Sequence, residues 1–155
     1  MRLSFDTVYH TDSAAQTRAL GGELSRCLKA GDVVLLNGDM GAGKSEFARG
    51  MARGLGVTDA VPSPSFTVMN AYPDAAIPLY HFDFYRIEDE KEIYEIGLDE
   101  QIGGDGVALI EWYERAESCL PPDAIKVSIR VENENGRAIT FGRIGRFHAL
   151  DGGAN

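Results

Sequence analysis

The chain has 155 residues, 44% of them hydrophobic and 25% charged, with a net charge of −9. That size and balance suit one globular domain with a real core, and no apolar run approaches the roughly 18 residues that a membrane-spanning helix needs. The whole excess charge lies between Asp83 and Glu117, with 12 acids against 3 bases; such a stretch cannot grip a nucleic-acid backbone, and it reads as a solvated face or a surface for a basic partner.

Residues 2–8 read as a first strand, and residues 1–6 lack the long apolar core of a signal peptide. Ser13, with Gln16 three residues on, makes a capping box for a helix. Its apolar stripe is Ala15, Ala19, Leu20, Leu24, Cys27 and Leu28, ending before Gly31. Cys27 and Cys119 are the only cysteines and stand far apart. They read as reduced thiols of a cytoplasmic protein, not as a disulfide or a zinc site.

Residues 33–36 form a buried-strand pattern, and Gly38-Asp39-Met40-Gly41-Ala42-Gly43-Lys44-Ser45 follows it. This run fits the phosphate-loop pattern G-x-x-x-x-G-K-[ST] without a mismatch. A helix pattern follows at once, with Phe47, Ala48, Met51, Ala52 and Leu55 on one face, closing around residues 54–56. Strand, glycine loop and helix together give the motif its physical meaning. The glycines let backbone N–H groups form a nest for phosphate, and the new helix adds its positive end. Lys44 can reach the β- and γ-phosphates, and the Ser45 hydroxyl can ligate magnesium. Gly38, Asp39, Met40, Gly41, Ala42, Gly43, Lys44, Ser45 and Glu46 are therefore assigned to nucleotide with Mg2+, and the missing guanine-reading N-K-x-D motif favours ATP as that nucleotide. A glycine-rich turn without a ligand would need neither the lysine nor the hydroxyl after it.

Two prolines make residues 62–67 an extended, stiff loop. Residues 68–72 and 78–85 read as a hairpin around a turn at 73–75. Alternation puts Leu79, His81, Asp83 and Tyr85 on one face and Tyr80, Phe82 and Phe84 on the other. Residues 88–96 read as a short helix ended by Gly97. Residues 107–110 are a continuous apolar run, as expected of a strand buried on both faces, and Glu111-Trp112 follows. A brief helix over 113–120 stops at Pro121. Residues 125–131 and 137–144 flank Asn135-Gly136, a hairpin signal, and 151–155 read as a disordered tail. The expected architecture is a three-layer α/β phosphate-loop domain over residues 1–150. Its mixed sheet is mostly parallel in the centre, with antiparallel hairpins at the edges.

Nucleotide hydrolysis needs an acid for the magnesium shell and a group that orients water. Glu111, after four apolar residues, fits that form, and Asp83 is a second candidate; both belong near the carboxyl ends of strands, where such sheets bind ligands. Glu111 could instead be a helix N-terminal acid. Asp83, between two phenylalanines, needs a partner in either reading. His81 could orient Asp83, touch phosphate or be structural. Trp112, Tyr85 and Arg86 are either packing residues or site residues.

Gly38–Ser45, the Ser63-Pro64-Ser65-Phe66-Thr67 loop with Asn70 and Tyr72, His81-Phe82-Asp83-Phe84-Tyr85-Arg86, and Ile110-Glu111-Trp112 occur in this order. In order and spacing the chain resembles the bacterial TsaE family, P-loop ATPases needed to make threonylcarbamoyladenosine at position 37 of certain tRNAs. The resemblance implies that Lys44 and Ser45 hold nucleotide and magnesium and that Asp83 belongs to the magnesium shell. It implies that Thr67 senses the γ-phosphate, Glu111 serves hydrolysis and the metal, and Trp112 lies beside the nucleotide. Lys44, Thr67 and Glu111 are then the catalytic set. It implies TsaB and TsaD as partners, with TsaD carrying the transfer chemistry and tRNA met only through the complex, in the cytoplasm and away from membranes. Ser45 and Ser65 stand where threonine is frequent and keep a hydroxyl; Met40 replaces a frequent leucine. A small-metabolite kinase would need an arginine-bearing lid, for which no arginine-rich insert is seen. A GTPase would need an N-K-x-D motif, which is absent. A nucleotide-gated binding module, with hydrolysis incidental, is the remaining alternative.

Overall fold

In a computed structural model that describes residues 2–150, the strands are β1 (Val8–Thr11), β2 (Val33–Gly38), β3 (Met69–Tyr72), β4 (Leu79–Asp83), β5 (Val107–Glu111), β6 (Ala124–Val131) and β7 (Arg137–Ile144). The helices are α1 (Ala14–Ser25), α2 (Lys44–Leu55) and α3 (Lys91–Glu95), with 3₁₀ helices at Leu98–Gln101 and Tyr113–Cys119. All seven strands join one sheet in the order β1-β7-β6-β2-β5-β4-β3. β6, β2, β5 and β4 run parallel, and the remaining pairings are antiparallel. The expected mixed sheet is present, with one detail added. The β3–β4 hairpin gives β4 to the parallel centre and β3 to one edge, while the β6–β7 hairpin gives β6 to the centre and β7 to an antiparallel flank that β1 closes at the other edge.

Strand alternation divides the interior in two. Val34, Leu36, Leu79, Val107 and Leu109 face a core completed by Leu24, Phe47 and Met51 of α1 and α2. Val33, Leu35, Phe82, Ala108 and Ile110 face the opposite core, closed by Phe84 and Ile93. These are the three layers. Each helical layer covers an apolar sheet face, which explains why β4 and β5 are buried at every position.

Several boundaries differ from the sequence expectation. The first strand lies at Val8–Thr11, not at 2–8, because Asp6 turns the chain at φ 61°. A short polar residue can adopt that left-handed conformation by bonding locally, and it ends any strand. At α1, Ser13 Oγ accepts from Gln16 N–H, and Gln16 Oε1 accepts from Asp12 N–H, one residue earlier than a capping box requires. The helix stops at Ser25, yet Cys27 and Leu28 stay buried in the following turn. α3 is shorter than expected. The segment after Trp112 is a 3₁₀ helix, with Ala116 off helical geometry, instead of an α-helix. The 132–136 connection is held by Asn133 Oδ1, which accepts from Asn135 N–H and Gly136 N–H. The tail expected at 151–155 lies outside the described residues. Among those residues no helix is long and apolar enough to cross a membrane.

α1 and α2 touch backbone to backbone. A Cβ added at Gly50 would lie 1.9 Å from the Arg18 carbonyl oxygen, and one at Gly21 would lie 2.3 Å from that of Phe47. Glycine is needed at both places because backbone cannot give way as a side chain can. Gly50→Ala should therefore cost about 1–3 kcal/mol, read as a lower urea midpoint with an unchanged slope. Wild-type stability in that variant would show that the helix pair tolerates separation.

Candidate functional site

The register of the parallel strands assembles the site. Leu36 of β2 pairs with Glu111 of β5, and Glu111 pairs with Asp83 of β4. The two acids, with the loop after β2, therefore share one carboxyl edge of the sheet. Period-two alternation puts Glu111 with Leu109 and Asp83 with His81 on the α2 side. The glycine loop turns over this edge, with Gly41 at φ 79° and Gly43 at φ 102°. Gly43 caps α2 without a side chain, so the first N–H groups of the helix are left to a ligand.

A cleft of about 400 Å³ lies here, lined by Met40, Gly41, Gly43, Lys44, Ser45, Glu46, Ser63, Ser65, Asp83, Glu111, Trp112 and Arg137. A second hollow of about 240 Å³ adjoins it, lined by Leu36, Asn37, Gly38, Asp39, Met40, Lys44, Tyr85, Trp112 and Glu114. Met40, Lys44 and Trp112 line both. Ala42 is buried and faces the core.

Glu111 is 6% exposed and His81 2%. Its Oε2 lies 2.7 Å from His81 Nε2, and its Oε1 lies 3.8 Å from Lys44 Nζ. The ammonium also sits 5.2 Å from the Trp112 ring centroid. Trp112 adopts φ 56°, which brings its ring back over the cleft and against Tyr85, 4.8 Å between centroids. Asp83 finds the partners that its burial demands: it accepts from Tyr85 N–H at 2.9 Å and from Ser65 Oγ at 3.3 Å. Ser65 thereby joins the proline loop to the acid, and Ser63 bonds Ser65 at 2.7 Å.

Thr67 stands apart from the other assigned residues. It is exposed, does not line the cleft, and its hydroxyl donates to Asn70 Oδ1 at 2.8 Å. The next residue, Val68, has φ 66°, which is costly for a β-branched side chain, and its carbonyl accepts from Asp83 N–H. Glu46 lines the cleft, but its carboxylate is held by Arg18 and Arg49. Phe66 is 83% exposed, with the Arg86 guanidinium 4.3 Å from its ring.

Arg137 was not legible as a site residue. It opens β7, yet its Nε donates to the Ala42 carbonyl at 2.8 Å and an Nη to that of Gly41 at 3.3 Å. The other Nη donates to carbonyls of Asn133, Glu134 and Gly136. One guanidinium thus straps the β6–β7 turn to the phosphate loop. In a trans peptide, C=O and N–H point oppositely, so holding the Ala42 carbonyl also fixes the direction of the Gly43 N–H. The only sequence signal was an arginine directly after a hairpin turn.

The donors suit a magnesium nucleotide. Ser45, Asp83 and Glu111 present hard oxygens to one cleft. Among the described residues no group of three or more His, Cys, Asp or Glu could hold a metal alone. Magnesium in a nucleotide site draws part of its shell from phosphate and water, so a hydroxyl and one or two carboxylates suffice.

Comparison with known proteins bears on this geometry. Residues 11–139 match the family model described as threonylcarbamoyl adenosine biosynthesis protein TsaE. Among curated proteins, the tRNA threonylcarbamoyladenosine biosynthesis protein TsaE of Bacillus subtilis is 42% identical, over 92% of this chain and 89% of the relative. That of Treponema pallidum is 40% identical, over 83% and 94%. A crystal structure of Bacillus subtilis YdiB superposes with a TM-score of 0.78 at 37% identity, covering 90% of this chain and 86% of that one.

The strap can be tested without any ligand. Arg137→Ala should speed amide exchange at Ala42, whose N–H donates to the Asp39 carbonyl, about tenfold, as one lost charge-assisted hydrogen bond implies. Unchanged exchange there would mean that the loop holds its shape without Arg137.

Proposed function

The chain belongs to the TsaE family of threonylcarbamoyl adenosine biosynthesis proteins, and from that premise we propose that it is a magnesium-dependent ATPase serving threonylcarbamoyl modification of adenosine 37 in tRNA. In this reading ATP binding and hydrolysis gate or reset a TsaB–TsaD transferase complex, and this chain transfers no threonylcarbamoyl group itself. The observation that supports it best is the meeting of Lys44 and Glu111 at 3.8 Å, both nearly buried, in the cleft under the phosphate loop.

The mechanism follows from that pair. Before nucleotide binds, the ammonium is balanced by the Glu111 carboxylate and the Trp112 ring face. Phosphate offers Lys44 a stronger partner, and the move from carboxylate to phosphate frees Glu111 Oε1. The freed oxygen can accept a hydrogen bond from a water placed for attack on the γ-phosphorus. The Gly43 N–H and the start of α2 hold the phosphates. Ser45 and Asp83 would hold magnesium, which neutralises charge on the phosphate oxygens. Ser65, bonded to Asp83, would report occupancy of the site to the proline loop and so to Phe66 and Thr67.

The exposure of Phe66 favours one variant of this reading. An apolar ring held out beside the cleft by Arg86 suits a partner surface that nucleotide builds, with hydrolysis incidental. If so, a non-hydrolysable ATP analogue would sustain repeated modification cycles; under the hydrolytic reading it would not.

Lys44→Ala should weaken ATP binding about ten- to a hundredfold, the worth of a charge-assisted contact. Glu111→Gln should bind ATP as wild type does but lose hydrolysis on the order of a hundredfold. Both are measured by titration of a fluorescent ATP analogue and by phosphate release with TsaB, TsaD and tRNA present. Normal turnover in Glu111→Gln would refute the role given to Glu111.

A further inference from the structure

We propose that His81 is a positioning residue for Glu111, holding Oε2 so that Oε1 alone faces the nucleotide cleft. This inference rests on the hydrolytic role proposed for Glu111. His81 sits mid-strand on β4, opposite Leu109, and Glu111 is two residues further along β5 on the same face. The imidazole therefore reaches diagonally along the sheet to the acid.

The chemistry of the contact is one-directional. A carboxylate only accepts, so Nε2 carries the proton and donates it at 2.7 Å. Nδ1 is buried without a partner among the described residues. A histidine kept only to satisfy the core would use both nitrogens. This one makes a single polar contact, to the acid.

The consequence appears when nucleotide arrives. Among the described residues the Glu111 side chain has two polar neighbours, Lys44 and His81. Once Lys44 turns to phosphate, His81 is the one that remains. Without it the carboxylate can rotate after Lys44 or toward the metal shell, and the attacking water loses its acceptor. His81 is thus expected to act on turnover and not on nucleotide affinity. Misplacement of a reacting group by about 1 Å can cost on the order of a hundredfold in rate.

The test measures kcat, KM and nucleotide Kd for His81→Leu, His81→Gln, Glu111→Gln and His81→Leu/Glu111→Gln, in the partner-stimulated assay above. His81→Leu should lose about ten- to a hundredfold in kcat with Kd unchanged. His81→Gln, whose amide can donate from near the Nε2 position, should recover most of it. The double variant should be no slower than Glu111→Gln alone, because the two act as one unit. A wild-type kcat in His81→Leu beside an inactive Glu111→Gln would overturn the inference alone. Parallel loss of binding, stability and rate in His81→Leu would also overturn it, by marking a structural role. Full activity in Glu111→Gln would sink the hydrolytic reading and this inference with it. Should His81→Leu not fold, His81→Asn replaces it: its amide falls short of Glu111, so it must be slower than His81→Gln, and equal rates would contradict the proposal.

Discussion

Strand register is the constraint on which the site depends. Leu36, Glu111 and Asp83 stand in one row across three parallel strands. Sheet geometry fixes neighbouring strands about 4.8 Å apart, so the phosphate loop and both acids are placed by backbone pairing before any side chain is chosen. A slip of one residue in β5 would send Glu111 to the opposite core, among Phe82 and Phe84. β4 and β5 are buried at every position, and the cost of setting the Glu111 carboxylate into the apolar layer resists that slip.

On that frame the charges are arranged economically. Glu111 sits between a proton donor and an ammonium, and Asp83 between a backbone N–H and a serine hydroxyl. Both carboxylates are nearly buried and both are satisfied, as burial requires. Arg137 serves the loop in a complementary way. Its donors take up carbonyls behind the phosphate nest, so that the N–H face is the one left to a ligand. In the proposed reading the pair Lys44–Glu111 is the contact among these that nucleotide breaks, and so the point at which binding would be coupled to hydrolysis.

Much of this could be read in the sequence because it is local. The phosphate loop is one continuous run, and the apolar stretch before Glu111 announces a central strand ending in an acid. The alternation around His81 and Asp83 gave their shared face correctly. What escaped is set by distance along the chain or by single backbone angles. Arg137 meets Ala42 only because β6 carries the hairpin back beside β2. His81 was open between several roles, since nothing local says that it reaches two residues along the neighbouring strand. The displaced first strand turns on Asp6 alone, and the return of Trp112 over the cleft turns on its own positive φ. The resemblance assigns Thr67 to the site, and in this structure its hydroxyl donates to Asn70 Oδ1.

The central claim is that Lys44 leaves Glu111 for phosphate and thereby frees the acid for water. A crystal structure of the chain with magnesium and a non-hydrolysable ATP analogue tests it most directly. The account predicts Lys44 Nζ on the β- and γ-phosphate oxygens, Ser45 and Asp83 at the metal, and Glu111 Oε1 facing a water in line with the γ-phosphorus while Oε2 stays on His81. Phosphates bound with Lys44 still on Glu111, or Glu111 turned away from the γ-phosphate, would contradict it.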